Sequence, residues 1–218
     1  MAKLLSALPV GSVVKSTNTK YNGKVIRWIV GTQDTANGRT GLVAEKMITL
    51  KCFDAKESSN PNSGRQSYGN NRYSQSNIDQ WLNSQAAAWY SARHSYDAPP
   101  NNANVWSNYN EYDTEAGFLS NFEADFRKAI LDSVIRVAKN TVTDGGGYED
   151  ITRKVFLLSN TEVGLSNENS VAEGTLWPYF SSAARRQCYP TAEAVSNSEY
   201  TSSSLNASSY WYWWLRTP

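Results

Sequence analysis

The order of apolar and polar positions predicts a β-sheet in the first quarter of the chain. Runs rich in β-branched residues at 11–15 and 24–30 flank Asn22 and Gly23, a pair typical of a tight hairpin turn. A third run at 41–50 follows a turn-rich segment. We therefore expect an antiparallel meander of three strands.

Two further segments have the spacing of helices. Ser76 is followed three residues later by Asp79 and then by apolar residues at helical intervals, which predicts a capped helix start. A longer amphipathic helix is predicted from Ser120 to about Asn140, with Glu123 as the capping partner of Ser120. Its apolar positions recur at three- and four-residue steps: Phe122, Phe126, Ala129, Ile130, Ser133, Val134 and Val137.

The remaining segments are predicted to be loops, turns and short buried elements. Residues 55–73 and 196–209 lack periodicity and are typical of surface loops, and the glycines at 145–147 predict a turn. The apolar runs at 154–159 and 210–218 predict buried strands. Short helical segments are expected at 86–90 and 176–186.

The order of strands, helices and then strands between long loops predicts one α+β domain over residues 1–218. A net charge of +1 gives no electrostatic footprint for nucleic acid or for an anionic membrane. No apolar run approaches the roughly 18 residues that span a bilayer, so we expect no membrane insertion. The start of the chain also lacks the apolar core and cleavage site of a signal peptide.

Few residues point to catalysis. His94 is the only histidine, and although Asp97 is near it in sequence, no nucleophile-elbow pattern accompanies them. Cys52 and Cys188, even with His94, are too few for structural zinc, and we expect both to be reduced, buried thiols. The sequence therefore predicts a non-enzymatic protein without a cofactor.

Structural calcium is the one metal that the sequence leaves open. Calcium binds oxygen ligands from loops without a tight sequence code, and neither candidate group has the spacing of an EF-hand. Solvated loop carboxylates are the ordinary interpretation of both groups. The first comprises Asp144, Glu149 and Asp150, and the second Glu162, Asn167, Glu168 and Asn169.

The aromatic residues fall into two classes. One class lies beside other apolar residues in predicted helices or strands, where core packing is expected: Trp28, Trp81, Trp89, Trp213 and Trp214. The other lies in loops rich in Asn and Ser, a composition shared by recognition loops but also by ordinary long loops. From this class we take the candidate binding residues Trp106, Tyr109, Tyr112, Tyr200 and Tyr210.

Three motifs, in this order, resemble an uncharacterised family of gut Firmicutes and their prophages, found in secreted or virion-associated proteins. They are Tyr-Ser-Gln-Ser-Asn-Ile-Asp-Gln-Trp-Leu-Asn at 73–83, Lys-Val-Phe-Leu-Leu-Ser at 154–159 with Glu162 soon after, and the terminal Trp-Trp-Leu-Arg-Thr-Pro at 213–218. The resemblance extends from about residue 8 to the last residue.

Members of that family look like relatives of the C-type-lectin-like fold, which also underlies formylglycine-generating enzymes and the variable receptor-binding proteins of diversity-generating retroelements. The resemblance implies small antiparallel sheets, one long amphipathic helix and extended loops. Members usually continue beyond the Trp-Trp-Leu-Arg-Ser/Thr-Pro motif through further strands. This single lectin-like domain, residues 1–218, is therefore expected to lack its usual C-terminal strands, or to have its sheet completed by a partner.

The function that the resemblance implies is recognition rather than catalysis. We expect a module of a bacteriophage or phage-derived particle, at a tail or fibre tip, that contacts a host surface glycan or protein and other virion proteins. It is expected in the virion and as an oligomer, although the sequence has no heptads.

Three alternatives stay open. The chain could be a bacterial surface or secreted interaction protein, or an architectural virion component without a ligand. The third is an oxidoreductase resembling formylglycine-generating enzymes. That enzyme needs an active-site cysteine pair, whereas Cys52 and Cys188 lie on segments unlike those of that family.

Overall fold

The computed structural model describes residues 4–167 and 169–218, and it begins with a three-stranded antiparallel sheet in the order β1-β2-β3. The strands are β1 Val13–Tyr21, β2 Lys24–Asp34 and β3 Arg39–Ala44. The predicted meander is therefore confirmed.

The hairpin turn follows directly from its two residues. Asn22 and Gly23 both adopt positive φ, 47° and 76°, as the favoured two-residue hairpin turn requires, and Tyr21 pairs with Lys24 on either side. The third strand ends at Ala44 rather than at residue 50. Beyond it the chain leaves the sheet, and the Met47 amide donates instead to the Tyr189 carbonyl at 3.0 Å.

The predicted long helix is wrong, because a second sheet replaces most of it. Only α3, Ala124–Ala129, is helical, and the chain then becomes strand β4, Ser133–Ala138, paired with β5, Tyr148–Arg153. Val134, Ile135 and Val137 are β-branched and favour a strand once a partner is available. That partner is β5, which the predicted glycine turn at 145–147, all at positive φ, brings back alongside β4.

The α-helices among the described residues have five or six residues each. Ser76 caps α2 as predicted, because its hydroxyl accepts from the Asp79 amide at 3.3 Å, and every residue of α2 is buried. The segment 86–90 is not helical, and 176–186 contains two 3₁₀ turns instead of a helix. The α-helices are α1 Ser63–Tyr68, α2 Asn77–Leu82, α3 and α4 Ala192–Ser196.

The main core lies between the first sheet and α2. Trp81 is almost fully buried at its centre, with ring centroids 5.2 Å from Phe118 and 5.8 Å from Tyr112. Residues 55–73 do not form the predicted surface loop, because they contain α1 and place Tyr73 in this core. The architecture thus combines small antiparallel sheets with short helices, compatible with the α+β class. Within the described ranges, no helix has the length and apolar character needed to cross a bilayer.

Neither apolar run predicted to be a buried strand is one. Residues 154–159 and 210–218 are extended, and the second makes a single bridge, between Trp211 and Cys188. Backbone groups that a ladder would satisfy are bonded to side chains instead: Asn83 accepts from the amides of Lys154 and Val155.

Candidate functional site

The middle and terminal sequence motifs meet at the buried side chain of Arg216. Its guanidinium pairs with Glu162 through two hydrogen bonds of 2.7 and 2.9 Å, and it also donates to the carbonyls of Leu157, Arg136 and Glu173. All five N–H groups of the arginine therefore have an acceptor. The terminal motif is thus joined to the middle one by its arginine.

Hydrogen bonds also join the first motif to the middle motif. The Tyr73 hydroxyl accepts from the Leu157 amide at 3.2 Å, and Asn83 donates to the Val155 carbonyl at 2.9 Å. The buried Asp79 carboxylate pairs with Arg153 at 2.6 Å; burial raises the pKa of Asp79, although Arg153 opposes this. We call this unit of the three motifs the framework. The polar side chains named here are bonded to other groups of the protein.

A large cleft lies beside the framework. Its volume is about 1490 Å³, which exceeds the roughly 300–1,000 Å³ of ordinary small-molecule pockets. One wall comes from β3 and the segment after it, and others come from the loop around Trp106, from 154–158 and from 211–214. The cleft is therefore large enough for an extended ligand.

Three of the five candidate binding residues line this cleft: Trp106, Tyr109 and Tyr200. Tyr210 is exposed but packs against Tyr189, with ring centroids 6.3 Å apart, outside the lining. Tyr112 is fully buried, stacks on a core tryptophan and donates its hydroxyl to the Cys52 carbonyl at 3.1 Å. Tyr112 thus belongs to the core, and we leave it out of the candidate surface.

Aromatic rings from three loops form a continuous row at the cleft. Tyr109 lies 6.0 Å from Tyr200, Tyr200 lies 6.0 Å from Trp211, and Trp211 lies 5.5 Å from Tyr212. We call these four side chains the aromatic row. Edge-to-face packing at such distances stabilises the rings against one another while leaving ring surface for a ligand.

The exposed aromatics of the terminal segment were missed from the sequence. Tyr212 and Trp214 are 86% and 53% exposed, whereas Trp214 was predicted to lie in the core. Exposure alternates along 210–214, so every second side chain faces outward. Because every position there is aromatic, the apolar pattern alone could not separate the two faces. The Trp214 indole N–H donates to the Lys51 carbonyl at 2.9 Å, which orients its ring.

The loop that carries Trp106 and Tyr109 is held by asparagines. Ser107, Asn108 and Asn110 have φ of 53°, 61° and 59°, a left-handed conformation in which Asn is several-fold enriched. The Asn110 amide donates to Glu199 at 2.7 Å, and the Glu199 amide donates back to the Asn110 side chain at 2.9 Å. The loop is therefore fixed against the one that carries Tyr200.

One basic side chain of the cleft lining is neutralised by a partner within the protein. The Lys51 ammonium is 4% exposed, pairs with Glu115 at 2.6 Å and lies over the rings of Trp81 and Tyr112 at 5.2 and 4.9 Å. Burial lowers the pKa of Lys51. Its charge is therefore matched within the protein.

In the first calcium candidate group, every carboxylate is paired with an arginine. Arg65 donates to Asp144 at 2.9 Å, Arg72 donates to Glu149 at 2.7 Å, and the Asp150 carboxylate accepts two hydrogen bonds from its cross-strand neighbour. Arginine thus occupies the oxygen atoms that a calcium ion would need.

The second calcium candidate group is dispersed. Glu162 pairs with Arg216 in the framework, Asn167 accepts from the Thr161 hydroxyl, and the Asn169 side-chain amide donates to a backbone carbonyl. Glu168 lies outside the described residues.

A third polar cluster, which the sequence did not predict, contains Asp54, Glu57 and His94. One ligand atom of each lies within 4.8 Å of the others. Burial raises the pKa of Asp54 to about 8 and raises the pKa of Glu57 above its usual value. Asp54 and Glu57 are three residues apart, whereas His94 is remote from both and follows no metal-ligand spacing, so the fold brings His94 to the other two.

The side chains of His94 and Asp97 have separate hydrogen-bond partners, and both cysteines are half-buried. Asp97 accepts from the Arg93 amide at 2.7 Å and from the Asn77 side chain, while His94 bonds the Ser95 carbonyl. Cys52 and Cys188 are free thiols. Burial raises the pKa of Cys52 to about 12 and also raises the pKa of Cys188.

Comparison with known proteins places this geometry in a family. The model of a family described as a domain of unknown function, DUF6273, matches residues 37–218, which include all three motifs of the framework. No curated protein and no solved structure matches the chain.

Proposed function

Because this chain belongs to the DUF6273 family, whose description assigns no activity, we propose a function from its own geometry. The protein is a non-enzymatic recognition module whose aromatic cleft binds an extended ligand on an outside surface, a glycan or a protein segment. The observation that carries this proposal is the row of aromatic rings along a cleft of about 1490 Å³.

The chemistry of the row suits recognition. Tyr and Trp offer large, rigid contact area at low entropic cost, and their polar tips retain a hydrogen-bonding group. Contiguous exposed apolar surface of this kind is typical of an interaction site. Sugar rings and peptide side chains both present flat apolar faces that can stack on it.

The framework itself forms part of the cleft wall, through 154–158 and through Trp213 and Trp214, and this arrangement also supports recognition. The buried ion pairs hold the polypeptide, while Trp106 and Tyr109 are presented on a loop and Tyr212 on an extended segment. Binding residues on loops positioned by a rigid scaffold are a common arrangement for recognition. We therefore retain the lectin-like scaffold, with its extended loops, as part of the proposal.

We further propose that the module acts in a bacteriophage or phage-derived particle, at a tail or fibre tip, as an oligomer in contact with other virion proteins. The resemblance of the three motifs to virion-associated proteins supports this setting. A bacterial surface or secreted interaction protein is the second candidate, and it would use the same cleft.

The test is a binding screen of the full chain against a glycan array and against whole bacterial cells. We expect saturable binding to at least one glycan or one cell type. Prior treatment of the cells with periodate should abolish binding to a glycan, and prior treatment with protease should abolish binding to a protein. Absence of binding throughout would contradict the recognition function.

A matched pair of variants ties any binding to the cleft. Trp214→Ala removes an exposed ring of the lining, whereas Tyr148→Ala removes an equally exposed ring on β5, outside the lining; their exposures are 53% and 51%. Loss in the first variant with retention in the second supports the proposal. Equal binding by both variants would place the ligand elsewhere.

A further inference from the structure

We propose that Asp54, Glu57 and His94 form a binding site for one divalent transition-metal ion. The proposal is independent of the recognition function, since the cluster would bind an ion whether or not the cleft binds a ligand.

The first reason is an unsatisfied oxygen. Glu57 is fully buried, and its Oε1 accepts no hydrogen bond, whereas its Oε2 accepts from the Asn60 side chain. A buried carboxylate oxygen without a partner is costly, and buried charges are ordinarily paired or bound to metals. Oε1 points toward His94, whose Nε2 atom is 3.6 Å away. That distance exceeds a hydrogen bond but leaves room for an ion to draw both atoms in.

The second reason is the orientation of His94. Its Nδ1 lies 2.9 Å from the Ser95 carbonyl, a contact in which Nδ1–H donates. Donation from one ring nitrogen to a carbonyl fixes the tautomer that leaves a lone pair on Nε2, and this is the usual outer contact of a metal-binding histidine. The Nε2 atom faces Glu57, and the Asn70 side-chain amide is 3.4 Å away.

Asp54 completes the set of ligands. Its two oxygens accept from the amides of Asn70 and Asn77 at 2.7 and 2.8 Å, which fixes the carboxylate in place. A carboxylate has about four acceptor positions, so each oxygen keeps one for an ion. Within the described ranges, no lysine or arginine forms an ion pair with Asp54 or Glu57. An ion would therefore supply the missing positive charge.

The donor types select the kind of ion. Calcium and magnesium prefer oxygen ligands alone, whereas imidazole together with carboxylates suits zinc, iron and manganese. Three protein ligands would leave a further position for water or for a ligand group. The ion would connect the segment 54–57 to the loop of His94, and Phe53 and Asp54 also line the cleft. Occupancy would thus stiffen one wall of the cleft.

The test is titration of the chelator-treated full chain with Zn²⁺ by calorimetry, and with Co²⁺ by visible absorption. We expect one equivalent to bind, with a cobalt spectrum lacking thiolate bands. Glu57→Gln and His94→Gln should each weaken binding by at least about 10-fold, since even outer-shell changes cost 10–100-fold. Asp150→Asn, which removes an exposed carboxylate on β5, should bind like the unmodified protein.

Circular dichroism of each variant establishes that it is folded, and His94→Gln, on a loop, remains informative if Glu57→Gln does not fold. The proposal is overturned if the unmodified protein binds neither ion. It is also overturned if both variants bind with unchanged affinity, or if the cobalt spectrum shows cysteine coordination. In those cases Glu57 and His94 form only a water-mediated or direct ion pair.

Discussion

At the scale of single residues, the family motif is explained by one buried ion pair. Arg216 and Glu162 are both buried, and each would be an uncompensated charge without the other. The arginine also donates hydrogen bonds to three backbone carbonyls. A lysine has only three N–H donors and no planar guanidinium group, so it cannot make the same set of hydrogen bonds. Arg216 is therefore a structural residue of the terminal motif, whereas Trp214 of the same motif lines the cleft.

Arg216→Met, which leaves the buried Glu162 carboxylate without its partner, should destabilise the fold by about 3–5 kcal/mol, the usual cost of breaking a buried pair. Urea unfolding followed by tryptophan fluorescence measures this loss. The control is the surface ion pair between Asp150 and Arg136. Asp150→Asn, which removes this pair, should change the unfolding midpoint little. Equal effects of the two substitutions would contradict the structural role of Arg216.

The two thiols provide a second test at this scale. Since burial raises the pKa of Cys52 to about 12, its thiolate is scarce near neutral pH, and its alkylation should be at least about 100-fold slower in the native protein than in denaturant. Cys188, whose pKa is also raised by burial, should react slowly too. Iodoacetamide labelling followed by mass spectrometry measures both rates. One rapidly reacting native thiol would favour the formylglycine-generating alternative.

At the scale of elements, the sequence predicts what depends on neighbours in the chain. Asn22-Gly23 specifies its hairpin and Ser76 its helix cap, because both signals act within a few residues. The segment 120–140 was predicted to be helical because its apolar spacing suits a helix. Its second half is a strand because a distant partner, β5, pairs with it. Tertiary pairing of this kind overrides local periodicity.

The β4-β5 hairpin is held to the framework by Glu149. Burial acts to raise the pKa of Glu149, but hydrogen bonds from Arg72 and Ser74 outweigh it, so the pKa lies below its usual value. Such a group stabilises the fold above its unfolded pKa of about 4.3, and the contribution is lost as the pH falls through the folded pKa.

Glu149→Gln should therefore destabilise the protein by about 1.5–3 kcal/mol at pH 7, the range for a charge-assisted contact, and by less below pH 4. Urea unfolding of both proteins at pH 7 and pH 3.5 measures the difference. If the difference in unfolding free energy between the two proteins does not become smaller at pH 3.5, the charge of Glu149 does not stabilise the fold.

At the scale of the whole molecule, the framework serves both stability and recognition, because its buried polar groups hold the fold while 154–158 and Trp214 also line the cleft. Sequence composition identified three residues of the cleft, Trp106, Tyr109 and Tyr200, because Asn-rich aromatic loops are typical of recognition. It could not exclude Tyr112, which is adjacent in sequence but turns into the core. It also could not find Tyr212, whose exposure depends on how Arg216 anchors the terminal segment, or the cluster at His94, which two remote segments assemble.

The most direct measurement of the central claim is the dissociation constant of the ligand recovered from the screen, compared among three variants. Trp106→Ala and Tyr212→Ala remove rings from different walls of the cleft, whereas Tyr148→Ala is the exposed control outside it. A ligand that spans the cleft should lose about 10-fold in affinity with each of the first two and keep its affinity with the third. Unchanged binding by both Trp106→Ala and Tyr212→Ala, or a loss confined to Tyr148→Ala, would contradict recognition through the aromatic cleft.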